Sequence, residues 1–383
     1  MDIMETSLER HYDWRGKIEV VSRVPIDTRE ILSLAYTPGV ARPCLEIAAH
    51  PEKSFDLTRR GGLVAVITDG SAVLGLGDIG PAASMPVMEG KCALFKEFAG
   101  VDAFPICVGT KDIDEFVNTV RLIADSFGGI NLEDIAAPRC FEIERRLQAA
   151  LDIPVFHDDQ HGTAIVVNAA AINACKLTGK KLSDITIVIN GAGAAGCAIA
   201  ERFIENGAGN VVLVDINGVI VSDEHYENTA HERLKTLTNK EKIHGTLAEA
   251  IKNADMFVGV SKPGLLTEAM VRSMNDKSAV FAMANPTPEI MPEAAKNAGA
   301  FIVGTGRSDY PNQINNVLAF PGIFKGALDV RAKEITSKMM SAAANAIADY
   351  VTPDKLTVDN ILPDPLDRGI AIAVAEAVAK AAK

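Results

Sequence analysis

The segment ITIVINGAGAAGCAIAERFIENGAGNVVLVD, Ile185 to Asp215, constrains the fold more than any other part of the chain. Its first six residues form a short apolar run rich in β-branched side chains, the signature of a buried strand. GAGAAG follows at once, then a helical pattern, then a second apolar run that ends on Asp215. Strand, glycine turn, helix and strand make one unit of a doubly wound parallel sheet. Gly191 permits the tight turn, Gly193 lets backbone approach a pyrophosphate, and Gly196 lets the helix close on the strand. Ala194 and Ala195 complete the candidate phosphate turn, whose helix N-terminus attracts negative charge. A glycine turn can also serve packing alone. Here the preceding strand, the following helix and an acidic residue about 20 positions later select dinucleotide binding. Asp215 would accept hydrogen bonds from both ribose hydroxyls and repel a 2′-phosphate, which favours NAD, with NADP possible.

The remaining pattern extends this α/β reading. GLVAVIT (62–68), VDAFPICV (101–108) and IPVF (153–156) are expected strands of a first half. MFVGV (256–260), AVFAMA (279–284) and AFIVGT (300–305) continue the second. From Gly322 onward the chain is alanine-rich and is expected to form two or three packing helices. At 383 residues the chain exceeds one ordinary core. The expected division is an N-terminal α/β substrate and catalytic domain, 1–160, and a Rossmann-type NAD-binding domain with trailing helices, 161–383. A net charge of -12 argues against nucleic acid or an anionic membrane as partner. The six scattered cysteines form no CxxC pair and suit reduced thiols. The charged N-terminus has no apolar signal region, and no run approaches the roughly 20 apolar residues of a membrane helix. A cytoplasmic protein is expected.

Four clusters carry possible chemistry. Tyr36 precedes a Pro-Gly turn in AYTPGVARP, and Lys91 lies on a mostly apolar helix in PVMEGKCALFKEF, where apolar neighbours would depress its pKa. Glu133 and Asp134 follow a strand in INLEDIAAP, and Asp158 and Asp159 follow another in VFHDDQHGTA. Each has a plain alternative: a backbone-bonded tyrosine, a snorkelling lysine, a solvated acidic loop. His157 and His161, four apart, would share one face of a helix and raise the option of a histidine-ligated metal. However, ligands of open α/β sheets sit beyond the carboxyl ends of strands, where both acidic pairs could converge. Carboxylates gathered at one point repel unless a cation neutralises them, and oxygen ligands suit Mg2+ or Mn2+. A dinucleotide, a hard divalent cation, a lysine and a tyrosine together suggest metal-assisted oxidation of a hydroxy acid.

In order along the chain, YTPGVA, VITDGSAVLGLGDIG, MEGKCALFK, LEDIAAP, FHDDQHGTA, NGAGAAG, ANPTPE and INNVLAFPGIFKGAL resemble the malic enzymes of the short bacterial type. The resemblance runs from about Tyr36 to Ala327. It implies oxidation of (S)-malate with NAD or NADP and decarboxylation of oxaloacetate to pyruvate and CO2. By the same resemblance Glu133, Asp134 and Asp159 bind Mg2+ or Mn2+, Lys91 is the general base, and Asp158 orients it. Tyr36 protonates enolpyruvate, Asn285 and Asn315 contact cofactor and substrate, and Asn316 contacts substrate. His157 and His161 become supporting residues. A homodimer, with N-terminal residues completing the partner's site, is also implied. One departure stands out: larger members read GERILGLGD where this chain has GSAVLGLGD, so Ala72 replaces an arginine that binds a malate carboxylate. A malolactic or simple malate dehydrogenase outcome and a non-catalytic NAD-responsive protein are the alternatives.

Overall fold

The computed structural model describes residues 3–73 and 75–383. Two sheets organise it. The first has order β2-β1-β3-β4, all parallel, from β1 (Leu63–Thr68), β2 (Asp102–Cys107), β3 (Gly129–Leu132) and β4 (Val155–His157). The second contains β5 (Thr186–Asn190), β6 (Asn210–Asp215), β7 (Gly218–Val219), β8 (Met256–Gly259), β9 (Ala279–Ala282) and β10 (Ile302–Thr305). Its order is β10-β9-β8-β5-β6-β7, parallel except for the two-residue β7, which runs antiparallel to β6. The chain leaves β5 toward β6 and later returns to β8 on the other side. A crevice therefore opens at the carboxyl end of β5, where the strand order reverses.

Both interior strand sets are apolar runs rather than alternations, as expected when helices cover both faces of a parallel sheet. Val64 to Ile67 and Ile187 to Ile189 are fully buried. The short β7 carries no apolar run and was absent from the sequence expectation. From Gly322 onward no strand forms; the helices Phe320–Asp329, Ser337–Tyr350 and Gly369–Ala381 match the expected packing helices.

Two helices connect the sheets. Asp158–Thr178 starts directly after β4 and packs on Ala194–Glu205, the helix that follows the glycine turn. Its middle, Ala164 to Ala171, is buried all round, as a central helix must be. Phe320–Asp329 packs against Pro81–Ala99. There Phe95 meets Phe320 and Phe324 at ring distances of 4.8 and 5.3 Å, and Phe156 meets Phe324 at 5.8 Å. These edge contacts join the last strand of the first sheet to the trailing helices.

The N-terminal helices differ. None of Ile3–Trp14, Arg29–Ala35 and Ala41–Ala49 buries a residue, and Val20, Val21, Val24, Ile26, Leu34 and Leu45 are exposed. Among the described residues, no helix is long and apolar enough to cross a membrane.

Candidate active site

In the helix Pro81–Ala99 the buried positions are Ser84, Met88, Lys91, Cys92 and Phe95, spaced three and four apart. The spacing puts Lys91 on the inward stripe, so its ammonium is carried into the interior rather than out to water. There Nζ lies 2.6 Å from Asp158 Oδ2 and 2.9 Å from Glu133 Oε1, and 4.2 Å from the ring centre of Phe320. The second sheet's domain contributes Asn316, whose Nδ2 donates to the same Asp158 oxygen at 2.5 Å.

Glu133 and Asp134 come directly after β3. The Glu133 N–H donates to Ile67 O at 2.9 Å, and Asn131 Nδ2 donates to its side chain at 2.8 Å. Asp134 takes a left-handed φ of 54°, a conformation asparagine and aspartate tolerate best, which turns the chain sharply after the strand. Its N–H donates to Asp159 Oδ2 at 2.8 Å. Carboxylate oxygens of Glu133, Asp134 and Asp159 lie within 4.8 Å of one another. Asp158 and Asp159 form the first turn of their helix, where the macrodipole favours negative charge.

Burial and mutual repulsion set the protonation equilibria. Burial pushes Asp158 and Asp159 up to about 6 and raises Glu133 as well. For Lys91 burial acts downward, but Asp158, Glu133 and Asp159 outweigh it and the net direction is up. This corrects the expectation of a lowered lysine pKa: the apolar helix face is real, but its tip ends among carboxylates. One lysine stands against Glu133, Asp158 and Asp159, with Asp134 in the same carboxylate cluster, so the donor set retains excess negative charge. All-oxygen and anionic, with Glu133 and Asp134 buried and Asp159 half-buried, it fits a divalent Mg2+ or Mn2+ ion.

The histidines resolve differently from the helical-spacing argument. His157 is the last residue of β4, with φ -95° and ψ 108°, so only His161 is helical and the two share no helix face. His161 Nε2 meets Glu144 Oε2 at 2.9 Å, and Glu144 Oε1 accepts the His157 N–H at 2.9 Å. Gln160 Nε2 donates to Glu144 at 3.3 Å. Glu144 thus clamps the turn that presents both aspartates. It was missed in the sequence because EIERRL has the look of an ordinary charged helix face.

The departure at Ala72 has a structural counterpart. Its N–H donates to Asp134 O at 3.0 Å, and Ser71 Oγ accepts the Ala136 N–H at 2.9 Å. Arg139 reaches Asp69 Oδ2 at 2.6 Å and Ser71 Oγ at 2.9 Å. This turn therefore braces the acidic loop instead of carrying an arginine of its own.

At the glycine turn, Gly191 has φ 115°, and a Cβ there would meet Val260 O at 2.6 Å. A Cβ on Gly196 would lie 1.7 Å from Gly191 O, so the helix closes on the turn only with glycine at that position. Gly193 is the N-cap of the helix Ala194–Glu205, with Ala194 and Ala195 in its first turn. Asp215 ends β6, and its Oδ1 accepts the N–H groups of Asn217 and Gly218 at 2.6 and 3.2 Å. Asn285 follows β9 and lies against Gly306 and the Gly75 turn. Asn315 caps the short turn Asn316–Leu318 by accepting the Val317 N–H, whereas Asn316 faces Asp158. Tyr36 is not brought to this cluster within one chain. It is 67% exposed at the end of Arg29–Ala35, and among the described residues no hydrogen bond or ring contact joins it to Lys91.

A glycine turn and a lysine–carboxylate cluster, each at the carboxyl end of a parallel sheet, are the arrangement of a dinucleotide-dependent oxidoreductase. Comparison with known proteins narrows the class. Residues 160–383 match the family profile described as "Malic enzyme, NAD binding domain", and residues 15–112 and 109–148 match "Malic enzyme, N-terminal domain". The bifunctional malic/malolactic enzyme of Bacillus subtilis is 54% identical over 100% of this chain and 93% of its own length. The NAD-dependent malic enzyme of Geobacillus stearothermophilus is 56% identical, over 96% of this chain and 77% of the relative. The crystal structure of malic enzyme from Pyrococcus horikoshii superposes with a TM-score of 0.96 at 50% identity, covering 100% of this chain and 90% of that one. The chain belongs to the malic enzyme family.

Proposed function

We propose that the protein oxidises (S)-malate at C2 with NAD and decarboxylates the resulting oxaloacetate to pyruvate and CO2, and that it also decarboxylates added oxaloacetate. The observation that carries this reading is the buried Lys91, held by Asp158 and Glu133 beside a three-carboxylate cluster. Lys91 is the general base for the malate hydroxyl, and Asp158, itself fixed by Asn316, orients it. Glu133, Asp134 and Asp159 would hold Mg2+ or Mn2+, which when bound supplies a Lewis acid for the substrate oxygens. Because these carboxylates hold the lysine protonated, whatever neutralises them moves its pKa toward the working range. Gly191, Gly193, Ala194, Ala195, Gly196 and Asp215 would hold the dinucleotide, with Asn285 and Asn315 bordering its reactive end. The division into an N-terminal catalytic domain, 1–160, and a cofactor domain, 161–383, belongs to this reading. The six unpaired cysteines suit a reducing, cytoplasmic setting.

Tyr36, the proton donor to enolpyruvate, acts in the site of a second copy, so the working form is a homodimer. Its exposure, and the uncovered apolar residues of the same N-terminal arm, support this. The name of the Bacillus relative raises a second outcome, reduction of the keto acid to lactate before release. NADH formation that requires both malate and Mg2+ or Mn2+ tests the main reading; no turnover with either dinucleotide refutes it. Accumulation of lactate rather than pyruvate selects the second.

A further inference from the structure

Glu289 has no part in the site as described, yet it is fully buried at the carboxyl end of the second sheet. Its Oε1 accepts the N–H of Ser261 and its Oε2 that of Ala284, each at 3.0 Å. Ser261 lies just beyond β8 and Ala284 just beyond β9, so one carboxylate ties together the ends of two adjacent parallel strands. The main chain repeats the link: Leu266 N–H donates to Glu289 O at 3.1 Å, and Gly264 N–H to Pro288 O at 3.3 Å. Gly259, the last residue of β8, makes room, because a Cβ there would lie 2.4 Å from Glu289 Cδ.

Both oxygens receive main-chain donors, the arrangement of an ionised carboxylate; a carboxylic acid would have to donate its own proton to an acceptor. Burial raises the Glu289 carboxyl above its ordinary range, and the main-chain donors of Ser261 and Ala284 act against that rise; among the described residues no ion pair reaches it, so main-chain dipoles are what offset the burial. The clamp also borders the glycine turn, since Val260 donates its N–H to Asn190 O at 2.9 Å and its carbonyl faces Gly191. Strand order reverses between β5 and β8. With Asp215 on the β6 side taking the adenosine ribose, the β8–β9 side faces the nicotinamide half. Asn285 is the residue directly after Ala284.

We propose that Glu289 is a positioning residue for the nicotinamide half of the cofactor, fixing the Ser261 and Ala284–Asn285 main chain and favouring the oxidised, cationic ring through its buried charge. The inference rests on the dinucleotide reading of the crevice. It is tested on the whole protein without malate or metal, by titrating NADH through its fluorescence and NAD+ through displacement of NADH. Glu289→Gln is expected to weaken NAD+ about tenfold more than NADH, as for removal of one partly screened elementary charge. Glu289→Asp keeps the charge but loses reach; both forms should weaken together while the preference for NAD+ is retained. Mn2+ affinity should stay at the wild-type value in each variant. Equal weakening of both forms in Glu289→Gln, or no weakening, overturns the inference while leaving cofactor binding intact. If the wild type binds neither form, the dinucleotide reading itself fails and the inference with it. Should Glu289→Gln not fold, Gly259→Ala decides: pressing on the carboxylate, it should weaken both forms, and unchanged affinity overturns the proposal.

Discussion

Lys91 Nζ and Asp158 Oδ2 lie 2.6 Å apart, both buried, one from a helix of the first sheet and one from the first turn of the helix that leads into the second. Asn316 Nδ2 donates to the same oxygen. The pair therefore joins the lysine, the acidic cluster and the cofactor domain at one atom.

Removing the amine should separate chemistry from binding. Lys91→Ala is expected to lower kcat for malate oxidation by about 10²- to 10⁴-fold, the range typical for a positioned general base. NAD+ affinity, measured by displacement of NADH, should remain near the wild-type value. Retention of full kcat would remove Lys91 from the assigned role.

The adjacent aspartates should behave differently. Asp159→Asn replaces one of three clustered carboxylates with a neutral amide oxygen and is expected to weaken Mn2+ binding by at least about tenfold, because the cluster loses one of the negative charges that attract the ion. Asp158→Asn should lower kcat more than metal affinity, since its contacts are Lys91 and Asn316. Titration of free Mn2+ by electron paramagnetic resonance reads both, and equal losses would erase the distinction.

The raised carboxylate pKa values give two pH trends of opposite sign. A ligand must be deprotonated to bind metal, so Mn2+ affinity should fall as pH drops through about 6. In the metal-free protein the folded state holds protons that the unfolded chain has already lost in that window. Stability contributed by Asp159 therefore rises as pH falls from 7 toward 5. The difference in unfolding free energy between wild type and Asp159→Asn, measured at several pH values without metal, isolates that contribution. A difference that does not change with pH would contradict the shift.

The exposed Tyr36 makes mixing informative. Tyr36→Phe and Lys91→Ala homodimers should each be impaired. If Tyr36 serves the partner's site, hybrids formed by mixing the two variants contain one site with both residues intact, and activity returns toward half of wild type per hybrid. Recovery absent from verified hybrids would place Tyr36 in its own chain's site. Light scattering should give twice the chain mass in either case.

Much of this was legible because it is local. Glycines at 191, 193 and 196 between strand and helix, and Asp215 at a strand end, depend only on neighbours in sequence and on steric limits of the turn. Strand-end carboxylates were legible for a related reason, since parallel sheets put ligands at one end. The alternation of strands and helices settled the α/β class, and the trailing alanine-rich segment formed helices as its composition required. The helical spacing of His157 and His161 misled because the strand runs one residue further than the pattern suggests.

What the sequence alone determined, then, was which residues are capable of the chemistry and which end of each sheet they occupy. Only the tertiary structure decided their partners. It put Lys91 among carboxylates that raise its pKa, supplied the distances for the division of Asp158 to the lysine and Asp159 to the cluster that the resemblance already implied, and left Tyr36 outside. It also placed Glu144 and Glu289, two unremarkable acids in the chain, as clamps on the loops that carry the site. The reason is physical: charge–charge energies and burial depend on distances between segments far apart in sequence, which neither periodicity nor spacing encodes.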